Sequence, residues 1–200
     1  MRFQEYRVVF LIVIVVLALL AASPAFSRLL VLPKTESFSE MWILGPNHMA
    51  EDYPFNITDG HDYDIFLGLV NRLGYAAYYR VELKFRNQTQ SAPNSFNRTH
   101  SSLRPLLGIN SFVPDEGSWE LPVRFSFYYD HNEDKSEIFF HSLAFNDVVL
   151  DLQGYSAVWN STRQTFSGNL FFELWIFNNE TNEFYYHERF VNLQLNMTLT

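Results

Sequence analysis

Hydrophobic positions along the chain fall into two regimes. Residues 8–22, VVFLIVIVVLALLAA, form an unbroken apolar run of fifteen residues. Beyond it the apolar runs are short, rich in Val, Ile, Phe, Tyr and Trp, and separated by clusters of Gly, Pro, Asn and Asp. A continuous run leaves no polar stripe for a helix to show to water, whereas short β-branched and aromatic runs between turn residues are the signature of strands. The pattern therefore predicts one apolar helix followed by an all-β domain.

Ten strands are predicted, over residues 38–44, 53–57, 63–70, 76–85, 106–113, 119–128, 138–145, 154–159, 169–177 and 184–195. Alternation is plainest in YYRVELKF, where Tyr79, Val81, Leu83 and Phe85 share one face and Arg80, Glu82, Lys84 and Arg86 the other. One face of that strand is expected in a core and one in water. LFFELWIF and FYYHERFVNLQLNM, joined by the polar NNETNE, read as a hairpin. Short strands at this spacing point to a two-sheet β-sandwich of immunoglobulin-like type, without the Cys…Trp…Cys mark of true immunoglobulin domains. The polar stretch 87–104, NQTQSAPNSFNRTHSSLR, reads as a long exposed loop of the kind that is functional or mobile.

Extended through Phe26, the apolar run reaches nineteen residues, close to the roughly 20 that cross a bilayer core. The same run also fits a secretory signal cut before Phe26, with small residues at Ser23 and Ala25. Its length and Pro24, beside the would-be scissile bond, favour an uncleaved anchor. Arg2 and Arg7 then hold residues 1–7 in the cytoplasm, residues 8–26 span the membrane, 27–36 form a tether, and 37–200 face outward as one extracellular domain.

Composition narrows the partners. The net charge of −8, with no basic cluster, excludes a nucleic-acid surface. There is no cysteine, so an exported domain must be held by packing, without disulfides or thiolate metal ligands. Thirty-five aromatic side chains, Phe 20, Tyr 11 and Trp 4, supply that packing. Asn-X-Ser/Thr occurs six times, at Asn56, Asn87, Asn97, Asn160, Asn179 and Asn196. Chance placement of this chain's Asn, Ser and Thr gives about two sequons, so the excess agrees with an exported, N-glycosylated chain.

Candidate chemistry is sparse. In TDGHDYDIF, Asp59 and Gly60 suit a turn, and Asp62 and Asp64 project from one face of the next strand. Asp59, Asp62 and Asp64 are oxygen ligands of the kind Ca²⁺ takes, but the spacing lacks the Gly and distal Glu of an EF-hand loop. The cluster is read as a solvated turn, and so is the acidic loop 130–134, DHNED. The six histidines show no HExxH pairing, and no nucleophile elbow or phosphate loop occurs. No catalytic residue, metal or cofactor is expected. Trp42, Trp119, Trp159 and Trp175 are expected in the core, with Trp159, beside Asn160, nearest a surface.

ESFSEMWILGPNHMAEDYPFNIT, then Gly60 and YDIFLGLVNRLGYAAYYRVELKF, resembles the archaeal domain-of-unknown-function family 1616. GSWELPVRFSF and the last two strands look like that family's closing strands, with divergence over residues 130–167. Where the family tends to show Asn-His-Glu, this chain has Asn71-Arg72-Leu73, and one apolar segment precedes the domain where members often have several. The resemblance implies an archaeal membrane protein with an outward β-domain and no known biochemistry. The function expected is a surface protein presenting a β-sandwich for protein–protein interaction or envelope assembly. The alternatives are a carbohydrate-binding module, using Trp159 or the Tyr185–Tyr186 pair, or an accessory subunit of an envelope or glycan-processing enzyme.

Overall fold

The computed structural model of the chain describes residues 5–29 and 37–199. The chain divides into two units, Met1–Ser37 and Phe38–Thr200. In the first, helix α1 spans Glu5–Leu29. Its contiguous described side chains, residues 9–20, are all exposed. That stretch is about 18 Å long at 1.5 Å per residue, and among the described residues no helix is long and apolar enough to cross a membrane. Most of the tether expected at 27–36, and the side chains of 21–26, lie outside the described residues.

The second unit is all-β. Its strands are β1 Phe38–Leu44, β2 Asn56–Thr58, β3 Tyr63–Arg72, β4 Ala77–Asn87, β5 Leu107–Val113, β6 Ser118–His131, β7 Glu137–Phe145, β8 Val148–Asp151, β9 Ser156–Val158, β10 Phe166–Asn178 and β11 Glu183–Thr198. One sheet has the order β1-β3-β6-β7-β8, with β9 also on β7; the other has the order β2-β11-β10-β4-β5. Nine of the predicted runs became strands close to where alternation placed them, and the tenth, 53–57, shortened to β2, which pairs parallel with the end of β11. The added strand, β8, lies in DVVLD, whose three apolar residues are too few to show a period of two.

The sheets meet through aromatic side chains. Phe85 of β4 packs on Phe127 of β6 and Phe140 of β7, with ring centroids at 5.1 and 4.9 Å, and Phe172 of β10 meets Phe145 of β7. Tyr79, Val81, Leu83 and Phe85 are buried as their alternation requires. Such side chains contribute about 1.5–3 kcal/mol each, which is how a domain without disulfides closes its core. Gly68 of β3 is fixed by a close approach: an added Cβ would collide with the ring of Trp42, its cross-strand partner on β1.

Candidate functional site

Strand register orders the outer face of the second sheet into rows. Across β5, β4, β10 and β11 the first row is Phe112, Tyr78, Phe177, Phe184 and the second is Asn110, Arg80, Trp175, Tyr186. Glu82, Glu173 and Phe190 follow, then Lys84, Phe171 and Asn192, and last Arg86, Asn169 and Gln194. The face thus runs from aromatic at one end to Arg and amide side chains at the other. There Arg86, Asn169 and Gln194 line an open hollow of about 290 Å³.

The middle of the face is not wet. Lys84 and Glu173 are 2% and 0% exposed, and Lys84 Nζ donates to Glu173 Oε2 at 2.7 Å, with Glu82 Oε2 at 3.2 Å. The cover is the chain between β4 and β5, residues 88–106. Its Ser101 N donates to Glu173 Oε1, and Lys84 Nζ donates to Ser101 O at 3.3 Å. The loop is exposed over most of its length, as expected, but Ser101 is buried beneath it, and the placing of Lys84 on a solvated face is corrected. A buried charge must find its partners inside the protein, and backbone from the loop satisfies what the ion pair leaves over.

Further bonds shape this loop. Arg86 Nη1 donates to Gln90 O at 2.8 Å, Ser101 Oγ to Ser91 O at 3.1 Å, and Leu106 N to Leu83 O at 2.8 Å. His100 lies over Trp175 and Tyr186, with centroids at 5.0 and 5.7 Å. Burial pushes the Tyr186 hydroxyl up to about 12. Between these anchors Asn94 and Thr99 exchange backbone bonds, and Asn94 Oδ1 accepts from the amides of Phe96 and Asn97, closing a small hairpin. Arg98, in left-handed backbone at φ 54°, pairs with Glu188 at 3.2 Å. The tip of this construction is Phe96, 93% exposed.

A second polar group lies where the sheets approach. The β10–β11 register jumps so that Leu174 faces Arg189 and Trp175 faces Tyr186, leaving His187 and Glu188 without partners, with Glu188 at φ 55°. A bulge of this sort re-aims side chains. His187 Nε2 lies 3.0 Å from Ser39 Oγ of β1, Ser39 Oγ 2.7 Å from Tyr79 Oη, and Tyr79 Oη donates to Asn71 Oδ1 at 3.1 Å. With Asn71 Oδ1 as final acceptor, a consistent donor chain runs from neutral His187 through Ser39 and Tyr79. Ser39 is 1% exposed and Asn71 fully buried, so this chain joins the sheets and offers no nucleophile to a substrate.

Burial holds the His187 pKa below its ordinary 6.5. The native state then refuses a proton that the unfolded chain accepts, so the sign of the pH dependence is fixed. Stability contributed here is complete above pH 6.5 and falls as the pH drops from there toward the lower native value. Denaturation midpoints measured between pH 7.5 and 5 should fall less for His187→Gln than for the native chain; equal slopes would contradict this account.

The acidic candidates are dispersed. Asp59 Oδ1 accepts from Tyr129 N at 2.9 Å, tying the β2–β3 turn to β6. Asp64 pairs with Arg124 at 2.9 Å and holds its guanidinium pKa up. Asp62 is exposed, and no group of three potential metal ligands occurs among the described residues. Asp64, Arg124 and Asp147 line an open hollow of about 590 Å³ on the first sheet. In the 130–134 loop, Asp130 meets His141 at 2.8 Å and Asp134 accepts from Ser136, which lowers its pKa.

Trp159 is 43% exposed and rests on Phe166, whereas Trp42, Trp119 and Trp175 are half-buried. Tyr185 and Tyr186 alternate across β11 and do not form one platform: Tyr186 joins the second row of the outer face, and Tyr185 faces Ile176 across the strand pair.

Sequence comparison adds a family. The model of "Domain of unknown function (DUF1616)" matches residues 32–148, more than half of the chain. The chain belongs to this family. The match ends at β8, so the closing strands β10 and β11, to which the resemblance had been extended, lie outside it. The DUF1616 segment contains Asn71, the final acceptor of the buried polar chain. No curated protein matches. Solved structures similar to this chain include a β-glucosidase from Listeria innocua in complex with glucose, at 6% identity and a TM-score of 0.33, covering 82% of this chain and 16% of that one. The same enzyme with gluconolactone gives 6% identity and a TM-score of 0.32, covering 81% and 17%. The chain thus spans less than a fifth of that enzyme's length, and likeness at this level carries no functional argument.

Proposed function

We propose that this DUF1616 chain is a membrane-anchored, N-glycosylated surface protein whose outward β-domain binds another protein of the envelope through the 88–106 loop. Residues 8–26 are the anchor and 37–200 the exposed domain, an immunoglobulin-like sandwich in the broad sense. In its second sheet, β2-β11-β10-β4-β5, the run β11-β10-β4 has the order of an immunoglobulin GFC sheet, with β2 added beside β11 and β5 beside β4. The first differs from the ABED order, because the strand beside β3 precedes its outer neighbour in the chain. The anchor is supported by apolar side chains over residues 9–20 that stand exposed, a costly arrangement in water.

The observation that carries the binding role is Phe96. A fully exposed aromatic ring gains nothing for the fold, yet buried bonds at Lys84, Glu173 and Ser101 hold the loop that presents it. Aromatic anchors presented in this way dominate interface energies. The test places a photo-crosslinking phenylalanine analogue at position 96 in the full chain, in its native membranes, with the same analogue at position 62 as control. A discrete adduct from 96 that is absent from 62 is expected; equal background from both would remove the role. Phe96→Ala should change stability by less than about 0.5 kcal/mol, as for surface positions generally.

Sequon occupancy follows from which amide nitrogens are free. Asn87 Nδ2 donates to Ser156 O at 2.8 Å and Asn196 Nδ2 to Asn56 Oδ1 at 2.9 Å. Asn160 is half-buried, whereas Asn56, Asn97 and Asn179 are exposed. Peptide mapping of native protein should therefore find glycan on Asn97 and none on Asn87. The reverse pattern would contradict the assignment.

A further inference from the structure

We infer that the end of the β-domain at which the chain enters is a lipid-contacting surface, its exposed aromatic rings seated in the headgroup layer of the bilayer; this rests on the anchor reading proposed above. Strand register defines that end. Phe38 opens β1 opposite Arg72, the last residue of β3; Ala77 opens β4 opposite Val113, the last of β5; and β10 leaves past Ile176, opposite Tyr79. The start of β1, the turns 73–76 and 114–117, and the β10–β11 hairpin 179–182 therefore share one end.

Exposed rings concentrate there. Phe112 is 65% exposed, Tyr75 55%, Tyr185 46% and Tyr78 39%. Phe177 and Phe184 lie between them, at 6.1 and 5.6 Å from the Tyr78 ring. Arg80 stands over Phe184 at 4.1 Å, an arrangement that offers both an apolar body and a cationic tip. Rings of this amphipathic kind gather at membrane–water interfaces. Arg72 and Arg80 stand among Asp115, Glu116, Glu180 and Glu183 at this end, so the rings, not charge, supply the attraction, and zwitterionic lipid suffices.

The opposite end also exposes aromatics, Tyr53 and Phe55 of the 45–55 loop. Number and exposure decide between the two: Tyr53 and Phe55 are 39% and 48% exposed, against four exposed rings at the entry end, where Arg80 also stands over Phe184.

The chain has no cysteine, so each introduced thiol is a unique fluorophore site. The full chain would be labelled separately as Leu17→Cys, Tyr75→Cys, Phe112→Cys and Phe55→Cys and reconstituted in phosphatidylcholine vesicles carrying nitroxide on either the acyl chain or the headgroup. Expected are acyl-chain quenching at 17, headgroup quenching at 75 and 112 that persists in high salt, and an unquenched label at 55. Quenching at 17 with labels at 75 and 112 as bright as that at 55 would leave the anchor standing and overturn the lipid contact. An unquenched label at 17 would overturn the anchor and the contact with it. Shielding at 75 and 112 that vanishes on dilution with lipid would assign the rings to a second copy of the chain and overturn lipid as the occupant.

Discussion

Replacing Lys84 with methionine is expected to lower the unfolding free energy by about 3–5 kcal/mol, the usual cost of leaving one member of a buried ion pair alone. Glu173 is fully buried, and Lys84 Nζ is its only cationic partner among the described residues, at 2.7 Å. Without that charge the carboxylate keeps only the Ser101 amide, and the carbonyl of Ser101 keeps only His100 Nδ1, at 2.8 Å. The loop should loosen together with the fold, so limited proteolysis should cut within residues 88–106 faster than elsewhere in the domain. Lys84→Met/Glu173→Leu should recover most of the loss, because an apolar pair of similar volume avoids the desolvation penalty of both charges. A single-variant loss below about 1 kcal/mol in urea denaturation would mean that water enters beneath the loop, and that the ion pair is not the clamp described.

Asn71→Ala carries the second large effect, about 3 kcal/mol, because several partners lose their bonds at once and each buried unsatisfied group costs about 1–3 kcal/mol. The Asn71 amide nitrogen donates to Tyr75 O at 2.8 Å, Val113 O at 3.0 Å and Pro114 O at 3.2 Å, while its oxygen accepts from Leu73 N and Tyr79 Oη. One side chain thereby fixes the β3–β4 turn, the β5–β6 turn and the hydroxyl chain to His187. Asn71→Asp should be no better tolerated, since a carboxylate oxygen would replace the nitrogen that faces three carbonyls. Thermal denaturation of both variants checks this; a Tm for Asn71→Ala within about 2 °C of the native chain would contradict the central place given to the amide.

Alternation made most of the fold readable, because a strand with one face in the core must repeat every two residues. Tyr79, Val81, Leu83 and Phe85 therefore declared themselves. What alternation cannot show is what lies on the other face. Lys84 follows the polar pattern of Arg80, Glu82 and Arg86, and only the return of residues 88–106 over it makes it a buried charge. A clue was present in LFFELWIF, where Glu173 is the one charge in a run of apolar residues, the composition expected of a strand covered on both faces. The His187 bulge was illegible for a different reason. Register belongs to a pair of strands, and nothing in FYYHERF alone says that two residues will be left over between Tyr186 and Arg189. The acidic cluster dispersed because Asp59, Asp62 and Asp64 straddle the start of β3, and the turn sends Asp59 to Tyr129 and Asp64 to Arg124 while Asp62 stays exposed. Phe96 looks in sequence like one more aromatic residue of a polar loop, and its significance comes from the hairpin that Asn94 closes around it.

The measurement that tests the account most directly is the intact mass, with peptide mapping, of the native protein extracted from its own membranes. The account predicts a membrane-bound chain heavier than its 23.5 kDa polypeptide, with residues 1–25 retained and glycan on the peptide that carries Asn97. A chain that begins near Phe26, or a full-length chain with every sequon bare, would contradict the anchored, outward-facing glycoprotein on which the roles of the loop and the aromatic end depend.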